Sequence, residues 1–201
     1  MGATKKAIHS DPNQIPTADE VKKADEATIY GADGKPVKFG SLRTSAAPFL
    51  AVFVRHWGCS FCMQYVEALA AEPQIANTRV LIIGHGAASG INHYREVSGA
   101  LPAFEIYADP KKELFGALGV TRASLDMGAS PGYQRGSDLS VIMRGVRATF
   151  KSGFGMFSGG SISQLGAEFY FNADGHVTFA HRMTNTRDHT EVPELVQAIK
   201  A

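Results

Sequence analysis

One stretch constrains this chain more than any other: Pro48–Glu72, PFLAVFVRHWGCSFCMQYVEALAAE. Phe49–Val54 is a continuous apolar, β-branched run, the pattern of a strand buried on both faces. Met63, Val66, Leu69 and Ala70 then recur at helical spacing, so one face of a helix points inward. Between the two elements stand Gly58, Cys59, Ser60, Phe61 and Cys62. Those are the only two cysteines among 201 residues. They sit at C-x-x-C spacing on a strand-to-helix turn, where a redox disulfide is well placed.

The position matters because the thiolate, not the thiol, is the nucleophile, and a free thiol has a pKa of about 8.5. A cysteine at a helix amino terminus faces unpaired backbone N–H groups and the positive end of the helix dipole. Both favour the thiolate, by about one pKa unit or more in C-x-x-C sites. Arg55 and His56, just upstream, add positive potential if their side chains turn toward the sulfurs. Cys62, one turn on, can close a short disulfide once Cys59 has been oxidised, so two cysteines suffice for a redox cycle. The competing uses are weaker. A zinc site needs two more ligands, and no second C-x-x-C or H-x₃₋₅-H pair is present. His56, His85, His93, His181 and His189 are scattered along the chain. No metal and no cofactor is expected.

Around this centre the chain alternates strands and helices. Residues 1–25 are polar, carry Pro12 and Pro16, and are expected to form an arm or a loose first helix over Thr17–Ala27. Residues 26–201 form one domain. Thr28–Tyr30 and Pro36–Phe39 flank the Asp33-Gly34 turn as a β-hairpin. Arg79–Gly84 is a second buried strand, followed by a weak helical stripe of Ile91, Tyr94 and Val97. Phe104–Ala108 is a third strand. Pro110 then suits the first position of a helix with Leu114, Leu118 and Phe115 inward. Residues 121–163 form a long insertion rich in Gly and Ser, with a helical piece in LSVIMRGVRATF. Loops of this length are usually functional or disordered. Ala167–Phe171 and His176–His181 form a late hairpin around Asp174-Gly175, and a helix over Val192–Lys200 closes the chain. Strands alternating with helices imply a parallel core, to which the late hairpin adds antiparallel strands.

With 44% hydrophobic residues, 19% charged and a net charge of +1, the composition is that of a soluble globular protein. It lacks the basic stripe of a nucleic-acid binder and the apolar run of a membrane span. The amino end has no signal-peptide core, and Lys6 stands where a myristoylation signal needs Ser or Thr. A cytoplasmic, reducing location is therefore expected, where a lone C-x-x-C pair is catalytic or metal-binding before it is structural.

FVRHWGCSFCMQYVEAL, VLIIGHG, IYADPKKELFGALGV and QLGAEFYFNADGHVTFAHR, in this order and spacing, resemble the AhpC/TSA-type peroxiredoxin-like proteins, the group that includes prostamide/prostaglandin F synthase. The similarity runs from about Ala27 to Lys200. It implies an α/β thioredoxin-like fold, a central mixed sheet flanked by helices, with an amino-terminal β-hairpin and a long insertion before the last hairpin. It also implies thiol-dependent reduction of a peroxide, organic by expectation, with thioredoxin or glutathione as external reductant. Cys59 and Cys62 match the family's redox pair, and Arg55 the basic residue before it. Which cysteine attacks stays open, because peroxiredoxins proper carry the attacking sulfur where Cys62 stands. Two departures are visible. Thioredoxins place a cis-proline before the penultimate strand, where this chain has Gln164-Leu165-Gly166. The dipeptide between the cysteines is Ser60-Phe61.

His56 is read either as a proton relay beside Cys59 or as a half-exposed strand-end residue. Trp57 is expected to pack over the site, and Trp57, Phe61 and Arg182 are taken as substrate-binding, Arg182 reaching in from a neighbouring strand. The Gly84–Ala88 segment lies where α/β proteins often bind ligands, though its glycines also suit a simple turn. Met127, Met143, Met156, Phe150, Phe154 and Phe157 in the insertion suit a cap over an apolar substrate, with a covering helix or a homodimer contact as the plainer uses. Arg135, Arg144 and Arg147 are most economically a solvated face. Two other functions fit the same residues: an enzyme acting on one bulky substrate such as an endoperoxide, and a non-catalytic redox sensor or binding module.

Overall fold

A computed structural model describes residues 9–45, 48–141, 143 and 159–200. The sheet is built outward from the expected central strand. Phe49–Phe53 (β3) is fully buried along its length, as its unbroken apolar run requires. Arg79–Gly84 (β4) pairs with it in parallel, and Glu105–Ala108 (β5) pairs in parallel with β4. Thr28–Tyr30 (β1) and Pro36–Lys38 (β2) form the amino-terminal hairpin, and β1 adds antiparallel to β5. On the other side of β3, Ala167–Phe171 (β6) and Val177–Arg182 (β7) form the late hairpin. The seven-stranded order is β2-β1-β5-β4-β3-β6-β7. This is the mixed, thioredoxin-like sheet that the sequence implies.

Alternation along each strand divides the core into two layers. Leu50, Val52, Ile82, Ile106 and Tyr170 face Ser60–Ala71 (α3), Ile91–Ser98 (α5) and the last helix, Val192–Lys200. Phe49, Ala51, Phe53, Leu81, Ile83, Phe169 and Phe171 face the opposite way. There they meet Ala18–Asp25 (α1), Phe39–Ser45 (α2) and Glu113–Ala117 (α6). Phe49 and Phe171 stack at 4.5 Å, with Phe39 edge-on to both. Each fully buried phenylalanine contributes about 1.5–3 kcal/mol through burial.

Several boundaries differ from the sequence reading, each for a local reason. Phe39 does not extend β2 but opens α2, its ring buried against Phe49 and Phe171. Pro110 does not start a helix: the Asp109 carboxylate accepts from the amides of Glu113 and Phe115, and α6 begins at Glu113. A short helix, Pro73–Ala76 (α4), starts on Pro73 with Glu72 capping the Gln74 amide. In the polar amino-terminal stretch, Thr17 and Glu20 close a reciprocal capping box on α1. Residues 9–14 are bound to the sheet, since Arg182 donates to the Pro12 and Gln14 carbonyls and Arg122 to those of His9 and Ser10. In the insertion, residues 138–141 and 143 are helical. Phe150, Phe154, Met156, Phe157, Arg144 and Arg147 lie outside the described residues.

Candidate active site

β3 ends at Phe53, and the chain turns through Val54–Gly58 to bring Cys59 to the N-cap of α3. Its extended backbone (φ −76°, ψ 104°) lets the sulfur turn back over the first helical turn, where it accepts from the Cys62 amide at 3.3 Å. Cys59 and Cys62 are joined as a disulfide, with Cα atoms 5.3 Å apart. Both sulfurs are enclosed: Cys59 is 3% exposed and Cys62 is fully buried.

Arg55 is the second donor to Cys59. Its Nη1 lies 3.5 Å from the Cys59 sulfur while Nη2 donates to the Ile162 carbonyl at 2.5 Å. Burial brings the guanidinium down to about 10, partly offset by Tyr133, so Arg55 is charged at neutral pH. In the disulfide form the Cys59 sulfur thus faces one full positive charge and a helix amino terminus, both of which favour a thiolate at that position.

His56 does not add to that positive potential. Burial first, then the charges of Arg55 and His85, depress it to about 3 and keep it a neutral imidazole. Trp57 is 2% exposed, its indole N–H on the Ala87 carbonyl and its ring against Tyr94. Any side chain at Gly84 or Gly86 would collide with the indole, so these two glycines make room for Trp57. Phe61 is buried beside the cysteines under the guanidinium of Arg187. Arg182 is a correction. Its side chain leaves the opposite face of the sheet, lies over Phe169 and bonds the Leu118, Pro12 and Gln14 carbonyls. It anchors the amino-terminal stretch and does not approach the sulfurs, because the strand's alternation turns it away from α3.

The insertion is tied down around the cysteines by residues that sequence reasoning missed. Gln64 exchanges two hydrogen bonds with the Arg135 backbone. Arg187 donates to the Met127 carbonyl, Ser130 and Asp138. His85, just after β4, accepts from the Ser161 amide, and the Trp57 backbone N–H donates to the Gly159 carbonyl. Arg135 itself is exposed, as read. The signals were faint: a polar Gln64 on an inward helix face, and an arginine in a turn. Gly166 ends the Gln164-Leu165-Gly166 segment directly before β6. A side chain there would run into the Phe53 carbonyl, Met183 and His189.

A model of the AhpC/TSA antioxidant enzyme family matches residues 63–185. The chain belongs to this family. The matched stretch begins one residue after Cys62, so the cysteines rest on the geometry above. Among curated relatives, Peroxiredoxin-like 2C of Bos taurus is 28% identical over 180 residues, covering 87% of this chain and 77% of its own. The Homo sapiens protein of that name is 29% identical with the same coverage. Among solved structures, a thiol peroxidase from Chromobacterium violaceum superposes with TM-score 0.52 at 14% identity, covering 94% of this chain and 90% of its own. A cysteine-to-serine mutant of peroxiredoxin Q from Xanthomonas campestris gives 0.53 at 13%, with 92% of each chain covered. These likenesses establish the thioredoxin-like fold, and family membership makes the chain a thiol-dependent redox protein. Among the described residues no three His, Cys, Asp or Glu side chains group to hold a metal, and no helix is long and apolar enough to cross a membrane.

One electrostatic feature beside the site has a pH signature. His181 Nδ1 pairs with Asn13 Oδ1 at 2.8 Å, and Nε2 lies 2.7 Å from the Asp188 carbonyl and 3.5 Å from its carboxylate. Burial disfavours the imidazolium, but the Asp188 hydrogen bond and the charges of Glu168 and Asp188 outweigh it, and raise His181 to about 9. A raised histidine stabilises the fold fully below its unfolded value near 6.5 and loses that contribution as pH rises through about 9. We expect the urea midpoint to fall between pH 7 and 10, by about 2–3 kcal/mol of stability at most. His181→Gln should flatten that part of the profile. An equally steep fall in the variant would assign the loss to other groups.

Proposed function

We propose that the chain is a thiol peroxidase that reduces an organic peroxide, with Cys59 attacking and Cys62 resolving. The observation that carries this reading is the convergence of the Arg55 guanidinium and the Cys62 amide on the Cys59 sulfur. Among the described residues no hydrogen bond reaches the Cys62 sulfur. The Cys59 thiolate attacks one peroxide oxygen, the O–O bond breaks, and the alkoxide leaves with a proton as the alcohol. Cys59 is left as a sulfenic acid. Cys62 displaces its hydroxyl, which leaves as water, and forms the Cys59–Cys62 disulfide. Two electrons from an external thiol, thioredoxin or glutathione, restore both thiols. The packing of Trp57, Phe61 and Met127 into the same cluster as the cysteines favours an apolar peroxide over hydrogen peroxide.

Thiol counting tests the cycle. One equivalent of cumene hydroperoxide should remove two free thiols from the reduced protein, with no dimer on a non-reducing gel. The same loss should be slower with hydrogen peroxide. A protein that keeps both thiols under either peroxide would instead be a scaffold or a partner-binding module.

A further inference from the structure

Residues 159–164, where the insertion returns to the sheet, form a strap held by the active-site turn and by the exit of β4. The Trp57 amide donates to the Gly159 carbonyl at 3.0 Å, and Arg55 Nη2 donates to the Ile162 carbonyl at 2.5 Å. Between these two points His85 Nε2 accepts from the Ser161 amide at 2.7 Å. Gly160 makes that contact possible. It stands at φ 93°, and a Cβ there would fall 2.6 Å from His85 Nε2. A residue without a side chain lets the strap come this close to the imidazole. Further on, the Ser124 amide holds the Ser163 carbonyl, and Lys112 holds the Gln164 side chain.

His85 is the first residue after β4 and is 4% exposed, its ring edge-on to Phe115. Burial first, then the charge of Lys112, depress it to about 4, so at neutral pH the ring is uncharged and Nε2 accepts. The ring proton then sits on Nδ1, which is buried with no hydrogen-bond partner among the described residues. A buried donor left unpaired is a cost that leucine or phenylalanine would not carry in the same place. What histidine supplies there, and those residues cannot, is the acceptor for Ser161.

Arg55 depends on that strap. Its Nε is buried without a partner among the described residues. The guanidinium makes its hydrogen bonds through Nη1, 3.5 Å from the Cys59 sulfur, and through Nη2 on the Ile162 carbonyl. The shorter contact is to Ile162, so that carbonyl sets where the guanidinium lies. Ile162 directly follows Ser161, the residue whose amide His85 holds. We propose that His85 is a positioning residue for Cys59: through the Ser161 amide it fixes the Ile162 carbonyl, which holds the Arg55 guanidinium on the sulfur. A contiguous line of contacts thus runs from the end of β4 to the redox pair, through His85, Ser161, Ile162 and Arg55. It gives the histidine of the Gly84–Ala88 segment a role that needs no ligand. The inference rests on the proposed function only in taking Cys59 as the thiol that Arg55 activates.

The test reads the Cys59 thiol without any peroxide. In a Cys62→Ser background, alkylation of Cys59 by iodoacetamide is followed against pH. His85→Leu should raise the Cys59 midpoint by about one pH unit. His85→Gln, whose amide oxygen can still accept from Ser161, should restore most of the parent value. On top of Arg55→Met, His85→Leu should add no further shift, because the residue it acts through is gone. An unmoved midpoint in His85→Leu, an equal rise in His85→Gln, or a full further rise on top of Arg55→Met overturns the proposal. Should His85→Leu fail to fold, Gly160→Ala decides, because its methyl parts the strap from an intact imidazole. The Cys59 midpoint should rise there too, and an unmoved one overturns the proposal. Arg55→Met alone keeps the two readings apart. If it leaves the midpoint in place, activation by Arg55 falls and the role of His85 falls with it. If it raises the midpoint while His85→Leu does not, only the assignment of His85 falls.

Discussion

Cys59→Ser should abolish peroxide turnover, by about a thousandfold or more, while Cys62→Ser should still consume one equivalent of peroxide and then stop. The asymmetry follows from where the donors point. Cys59 is the N-cap of α3, and its sulfur takes both the Cys62 amide and the Arg55 guanidinium. Cys62 lies within the first turn, where its own amide already serves Cys59. A thiolate is thus favoured at Cys59, and a sulfenic acid formed there has the resolving thiol within disulfide reach. Dimedone should accordingly label Cys59 in the Cys62→Ser protein, and mass spectrometry locates the adduct. The serine at position 59 leaves Cys62 without a charge partner, so little label should appear in that variant. The reverse pattern, label at Cys62 with turnover surviving Cys59→Ser, would assign the attack to Cys62. Full turnover in both variants would remove the mechanism altogether.

Much of this frame was legible in the sequence because it depends on local patterns. The continuous apolar runs of β3 and β4 announce strands covered on both faces, and their observed spans agree with the expected ones to within a residue. The Asp-Gly turns place both hairpins, with Gly34 and Gly175 at positive φ as such turns require. The C-x-x-C on a strand-to-helix turn locates Cys59 at a helix cap before any coordinate is known. What was not legible is set by partners distant in sequence. Arg182 follows the strand's alternation to the face away from α3, and nothing local says which face that is. Glu168 and His189 lie 21 residues apart and meet only because the chain folds back beyond β7. In the sequence one is a charge in a strand and the other a turn histidine. Arg187 and Gln64 likewise take their roles from an insertion whose path has no periodicity to read. The charge of His56 was not legible for a different reason. Its proximity to Cys59 was clear, but burial beside Arg55 and His85 decides its charge, and burial is not a local property.

Arg55→Met should have the largest effect of any substitution that leaves both cysteines in place. The two influences on Cys59 can be ranked by size. A helix amino terminus stabilises a nearby anion by about 0.3–1 kcal/mol, rising to about 2 in partly buried sites. A full opposite charge in contact lowers an acid by about one to three pKa units, which is about 1.4–4 kcal/mol. Arg55 is 6% exposed, so solvent screens it little, and its guanidinium remains charged at neutral pH with its own value near 10. Its contribution therefore exceeds that of the helix. The Arg55→Met protein should show the Cys59 alkylation midpoint raised by about one to three pH units. Peroxide reduction at pH 7 should be slower by about ten- to a thousandfold, and raising the pH should recover part of it. Arg55→Lys should fall between, because an ammonium restores the charge but cannot span the Cys59 sulfur and the Ile162 carbonyl as the planar guanidinium does. The ordering arginine, lysine, methionine separates electrostatic activation from a packing role. If lysine and methionine lose activity equally and the Cys59 midpoint does not move, Arg55 serves to hold Ile162 and the return of the insertion, and the thiolate owes its stability to the α3 terminus alone.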